Sequence, residues 1–171
     1  MVQSVELLLD TDADAIIRGQ WAALAAVGLP SEQRSPSDLF HRPHVTLYAA
    51  DRISPEADLG LPALLPELDL SIMIGPVLIF GPRHGRSILV RTVVPSEALL
   101  QLQARVADLC GAEPEGQFSA GRWSPHVTVA RRMPTDQLGR ALEVLGSRTT
   151  SARITGVRRW DGTVKRAWAI G

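Results

Sequence analysis

Alternation and helical periodicity divide the chain into strands and helices. Val5-Glu6-Leu7-Leu8-Leu9 reads as a strand, and Thr11 or Asp12 stands where it can cap a helix whose Ile17, Trp21 and Leu24 recur at i, i+4 and i+7. Gly28 and Pro30 stop that helix. A second strand centres on Pro43-His44-Val45-Thr46-Leu47-Tyr48, and Leu59 to Leu68, broken by Pro62 and Pro66, allows at most a short helical turn. Leu70 to Phe80 is an apolar strand in which Gly75-Pro76 predicts a bulge or an edge. Gly81 to Arg86 has the composition of a hairpin loop, and the chain returns through Ser87 to Val93.

The same order then recurs. Ser96 can cap a helix striped by Leu99, Leu102, Val106 and Leu109, with Gly111 just past its end. A strand follows at Pro125 to Ala130, then a helix capped by Thr135 that carries Leu138, Leu142 and Leu145, then strands around Ile154 and Trp168. Pro43-His44-Val45-Thr46 returns as Pro125-His126-Val127-Thr128 at an offset of 82 residues (126 − 44). Ser71, Ile74, Val77 and Phe80 align with Ser151, Ile154, Val157 and Trp160 at an offset of 80 (151 − 71). This self-similarity predicts one domain over residues 1–171, internally duplicated as approximately 1–85 and 86–171. The expected fold is α+β: two pseudo-symmetric lobes, each an antiparallel sheet with flanking helices, and an active-site cleft between them.

Composition narrows the chemistry. A chain that is 45% hydrophobic and 21% charged, with a mean hydropathy of +0.05, folds as a globule rather than staying disordered. Eighteen basic and eighteen acidic residues leave a net charge of +0, which argues against broad adhesion to nucleic acid or anionic membrane but leaves room for a local basic site. Lys165 is the only lysine among the basic residues, so lysine nucleophiles and the lysine of a phosphate-binding loop are nearly excluded. Cys110 is the single cysteine; it cannot form an internal disulfide, and no Cys/His spacing offers a structural zinc site. We expect a reducing, cytoplasmic setting with no membrane association, because no signal-like N-terminus or long apolar run is present.

The candidate chemistry lies in the repeated motif. Residues two apart on a strand share one face, about 6.6 Å from each other, so His44 and Thr46 face one way while Val45 and Leu47 face the other. His126 and Thr128 are placed alike, with Val127 and Val129 turned to the core. If the two strands adjoin, two imidazoles and two hydroxyls converge on one cleft. That set suits displacement at phosphorus. A neutral histidine takes a proton from the nucleophile, a protonated one gives a proton to the leaving oxygen, and the hydroxyls bond the non-bridging oxygens. The scheme calls for no metal and no cofactor.

The twin His-x-Thr motifs in a duplicated α+β chain resemble the 2H phosphoesterase superfamily, and within it the 2′-5′ RNA ligase-like branch; the second copy continues as Val129-Ala130-Arg131, similar to that branch's wording. The resemblance implies that His44 and His126 are the catalytic pair, with His126 as base and His44 as acid, and that Thr46 and Thr128 bind phosphate. It implies a metal-independent cyclic phosphodiesterase acting on a nucleotide or RNA end that bears a 2′,3′-cyclic phosphate. An ATP-independent 2′-5′ RNA ligase and a non-catalytic RNA-end binding module are the alternatives. The first copy ends in Tyr48-Ala49-Ala50 instead of the usual aromatic and glycine, a departure that bears on substrate choice.

Residues beyond the motifs divide between functional and structural roles. Arg131 is a candidate bidentate phosphate clamp, and Tyr48 and Trp123 are candidates for base stacking. His41 is expected in a loop, His84 in solvent, and Cys110 as a small buried filler. A monomer is expected.

Overall fold

The computed structural model describes residues 2–35, 37–38, 40–64, 70–113 and 115–170. Among the described residues, seven strands and four helices follow the predicted order: β1 (Gln3–Leu9), α1 (Thr11–Ala26), β2 (His44–Ala50), α2 (Pro55–Gly60), β3 (Ser71–Arg83), β4 (Arg86–Val93), α3 (Glu97–Leu109), β5 (His126–Pro134), α4 (Leu138–Leu145), β6 (Thr150–Asp161) and β7 (Arg166–Ile170). The caps follow local chemistry. Asp10, not Thr11 or Asp12, caps α1 by accepting from the Ala13 N–H at 2.9 Å, and Ser96 caps α3 by accepting from Leu99 at 3.2 Å. Thr135 instead opens a 3₁₀ turn over Thr135–Gln137 that leads into α4. The segment expected to hold one short turn contains the end of α2 and a 3₁₀ turn at Leu61–Leu64, and its residues 65–69 lie outside the described residues.

All the strand pairings are antiparallel and form one sheet in the order β1-β2-β5-β4-β3-β6-β7, with β6 also paired to β1. The spatial grouping crosses the boundary between the two sequence repeats. β3 forms a hairpin with β4, and the later part of β6 lies beside β1 while its first residues pair with β3. As predicted, Gly75-Pro76 interrupts β3, where the register shifts between Ile74 and Val77. At the centre, β2 and β5 meet through a single pair, Val45 opposite Val127.

The core explains that arrangement. Val5, Leu7 and Leu9 of β1, Val45 and Leu47 of β2, and Val127 and Val129 of β5 are buried against Ile17, Trp21 and Leu24 of α1 and Leu99, Leu102 and Val106 of α3. The helices therefore cover one face of the sheet, and the opposite face is free to line a cleft. Buried Arg91 ties α1 to α4: its Nε donates to Gln20 Oε1 at 3.0 Å, and its guanidinium also bonds the Leu145 carbonyl at the α4 C-terminus.

Candidate active site

The uncovered face of β2 and β5 opens into a cleft of about 1010 Å³, lined by His44, Thr46, His126 and Thr128 among others. The two strands reach it in the same way. On β1, consecutive Val5 and Glu6 face Tyr48 and Thr46, so Leu47 is an extra residue on β2. On β4, consecutive Leu89 and Val90 face Ala130 and Thr128, so Val129 is an extra residue on β5. Each bulge directly follows a motif threonine and reverses the alternation beyond it. Ala49 and Arg131 therefore line the cleft, while Tyr48 and Ala130 turn into the core.

Both imidazoles are oriented by backbone. Nδ1 of His44 donates to the Arg42 carbonyl at 2.7 Å, and Nδ1 of His126 donates to the Ser124 carbonyl at 2.7 Å. A carbonyl can only accept, so each Nδ1 carries a proton and each Nε2 is left for chemistry. The His126 ring meets Phe80 edge-on with centroids 5.0 Å apart. Burial lowers the pKa of His126 below the ordinary imidazole value; its bond to Ser124 works the other way, and the charges of His44 and Arg131 lower it further.

A polar cluster stands on the His44 side. Glu6, on β1, is 4% exposed, and its Oε1 lies 3.6 Å from Nε2 of His44 while accepting the Ser4 hydroxyl at 2.6 Å. Its Oε2 accepts Nε of Arg158 at 2.8 Å, and Arg158 Nη1 donates to the Phe40 carbonyl at 2.7 Å. Burial pushes the Glu6 carboxyl up, but His44, Arg158 and the Ser4 hydroxyl outweigh it and hold it below the usual value. Among the described residues no group of three or more His, Cys, Asp or Glu is arranged to hold a metal ion, and no helix is long and apolar enough to cross a membrane.

The family model of the 2′-5′ RNA ligase superfamily matches residues 14–163. The chain belongs to that superfamily. Its fold is that of the 2H phosphoesterases, LigT-like proteins included. TT0787 of Thermus thermophilus aligns at a TM-score of 0.61 with 16% identity, covering 100% of this chain and 96% of its own. Escherichia coli LigT complexed with 3′-AMP aligns at 0.53 with 15% identity, covering 98% and 96%. Kluyveromyces marxianus Usb1 with uridine monophosphate aligns at 0.52 with 15% identity, covering 99% and 97%. No curated protein matches the chain in a sequence search.

The cleft of this 2H phosphoesterase receives most, though not all, of the residues that the sequence singles out. Arg131 reaches it because of the β5 bulge; its side chain is 58% exposed and lies 3.9 Å from Glu32 Oε1. Trp123 lines the cleft and donates its indole N–H to the Thr46 carbonyl at 3.1 Å. Tyr48 is a correction. It is 7% exposed and packs on Phe118, so it is core rather than a base-stacking platform, because the bulge at Leu47 reverses the face on which it falls. His41 stays in its loop but lines the cleft, with its ring 5.0 Å from that of Trp21 and Nε2 donating to the Glu32 carbonyl at 2.7 Å. His84 is exposed at the β3–β4 turn, as expected. Cys110 is half-buried at the end of α3, and burial pushes its thiol up to about 11.

Sequence reasoning missed Ser4, Glu6 and Arg158. A signal existed on β1, where Ser4 and Glu6 alternate with Val5 and Leu7 and so share the face opposite the core side chains.

Proposed function

We propose that the chain is a metal-independent phosphodiesterase that opens 2′,3′-cyclic phosphates at the end of a nucleotide or RNA. The supporting observation is the matched pair of imidazoles, each held at Nδ1 by a backbone carbonyl two residues earlier, with both histidines lining one cleft. Neutral His126 accepts a proton from water at Nε2, and the water oxygen bonds to phosphorus. The bond from phosphorus to the 3′ oxygen breaks, and that oxygen takes the proton carried on Nε2 of His44. The products are a 2′-phosphate and a free 3′-hydroxyl. Thr46, Thr128 and Arg131 line the same cleft and are suited to bind the non-bridging oxygens.

The lowered pKa of His126 favours it as the base, since a base must arrive without its proton. The cleft's volume, about 1010 Å³, lies at the upper end of the small-ligand range of roughly 300–1,000 Å³, so it has room for more than a mononucleotide. Phe40, Phe80, Trp123 and Trp160 offer aromatic surface along it for bases.

The test is a panel of 2′,3′-cyclic nucleotides, cyclic-phosphate RNA ends, 2′-5′-linked oligonucleotides and ADP-ribose cyclic phosphate, scored for product regiochemistry with and without EDTA. The expected result is a 2′-phosphate unaffected by EDTA, with kcat lowered about 10²–10⁴-fold in His44→Ala and in His126→Ala. Retained turnover in both variants overturns the mechanism. A new 2′-5′ bond replaces hydrolysis with ligation as the activity, and tight binding without product reduces the protein to an RNA-end binding module.

A further inference from the structure

The two motif strands are alike, but the strands beside them are not. Across β1 the residue facing Thr46 is Glu6, and on β6 the residue facing Glu6 is Arg158. Across β4 the residue facing Thr128 is Val90, and on β3 the residue facing Val90 is Leu78. Two positions before Glu6 and Val90, Ser4 and Ile88 both line the cleft. A buried, fully bonded polar cluster flanks one histidine strand, and three aliphatic side chains occupy the matching places beside the other.

We infer that Glu6, fixed by Ser4 and Arg158, is the positioning residue that assigns the acid role to His44 and so gives a two-fold site a single direction of reaction. The inference rests on the two-histidine reading above. Nδ1 of His44 is committed to the Arg42 carbonyl, so the proton that can move sits on Nε2, the nitrogen 3.6 Å from the Glu6 carboxylate. A buried anion there stabilises the imidazolium that a proton donor must be. The Ser4 hydroxyl pins the same oxygen, and Arg158 on the other oxygen offsets the repulsion that a bare carboxylate would exert on a phosphate.

The charges facing His44 are therefore Glu6 from β1, Arg158 from β6 and His126 from β5. Of the other acidic groups along the cleft, Glu32 lies between Arg131 and His41, 3.9 Å from each, and Asp38 is exposed. His126 meets the Phe80 edge and the positive charge of Arg131, an environment that favours a neutral ring. The nucleophile accordingly enters on the His126 side and the leaving oxygen departs on the His44 side.

Glu6→Gln keeps the shape: its amide oxygen can accept from Arg158 while its NH2 donates to the Ser4 hydroxyl oxygen, so it removes the charge with little other change. The expected result is kcat lower by about 10–100-fold with KM within about twofold, and an alkaline limb of the pH–rate profile displaced toward acid. In a His44→Ala background the same change should cost nothing further, because its effect runs through that ring. At one fixed pH near neutrality, the ring ¹⁵N signals of His44 should report less imidazolium in Glu6→Gln than in the unmodified protein. That readout needs no turnover, so inactivity on every cyclic phosphate would defeat the proposed function while the role of Glu6 is still decided. Unchanged ¹⁵N signals, an unmoved alkaline limb, or full additivity with His44→Ala would each overturn the inference. If Glu6→Gln does not fold, Glu6→Asp keeps the charge but draws it one methylene back from His44, and should lower kcat about 3–10-fold with a smaller displacement in the same direction; no displacement overturns the inference equally.

Discussion

Each motif strand is held by an indole from far along the chain. Trp21 on α1, 3% exposed, donates Nε1–H to the Thr128 carbonyl at 3.1 Å, and Trp123 donates to the Thr46 carbonyl at 3.1 Å. Both carbonyls belong to the residue just before a bulge, where the ladder is locally disrupted and a side-chain donor can take over. Across the cleft β2 and β5 share the single Val45–Val127 pair, so the two indoles add to the constraint that the β1 and β4 ladders place on the motif strands. Trp21→Phe keeps a ring but leaves the carbonyl unpaired, at a cost of about 1–2 kcal/mol. At about 2–4 °C per kcal/mol for a chain of this size, Tm should fall by roughly 2–8 °C, and the smaller ring adds a cavity term to that loss. The kinetic effect separates the two contributions. A threonine displaced with its strand misplaces the phosphate, and kcat on a cyclic nucleotide should drop about 10-fold or more, since a shift of ~1 Å can cost about 10²-fold. Trp123→Phe should match it in kcat with a smaller loss of Tm, because Trp123 is only half-buried. The assays are thermal melting and steady-state kinetics on each variant. A lower Tm with unchanged kcat in both would show that the strands keep their places without the indoles, and would refute the reasoning.

Arg131→Gln removes the one charged side chain that the paired bulges turn into the cleft; KM for a cyclic nucleotide should rise about 10-fold with kcat changed less, and an unchanged KM would mean that Arg131 merely accompanies Glu32 at the surface. Stability should decline as the medium is acidified. The folded-state pKa of His126 is below the ordinary 6.5, so the unfolded chain takes up a proton first and stability is lost as pH falls below about 6.5. Glu6 is held below its ordinary 4.5, so its contribution, present above that value, is lost as pH falls further. Melting curves between pH 3 and 8 should therefore flatten just below pH 6.5 in His126→Ala and below about 4.5 in Glu6→Gln; parallel curves for all three proteins would contradict both assignments.

What could be read from the sequence was whatever depends on local pattern. The stripe Ile17-Trp21-Leu24, the cap at Ser96, the Gly75-Pro76 interruption and the two His-x-Thr strands all appear where periodicity puts them, because each is decided by residues within a turn or two of one another. Tyr48 was misread for a physical reason. Strict alternation puts it on the same face as His44 and Thr46, but alternation holds only while strand pairing is in step, and Leu47 is the residue that has no partner. The same defect on β5 brings Arg131 into the cleft, where alternation from His126 would turn it away. Val129 and Leu47 look like ordinary core residues in sequence, and only their neighbours on β4 and β1 reveal the extra residue. Glu6 was missed for a related reason. Its meaning depends on Thr46 lying opposite it on one side and Arg158 on the other, partners 40 and 152 residues away (46 − 6 and 158 − 6). A duplicated motif reveals the parts of a site that its halves hold in common. In the proposed mechanism the acid and base roles come from where the halves differ, and that difference is carried by β1, β3, β4 and β6, which contain neither histidine.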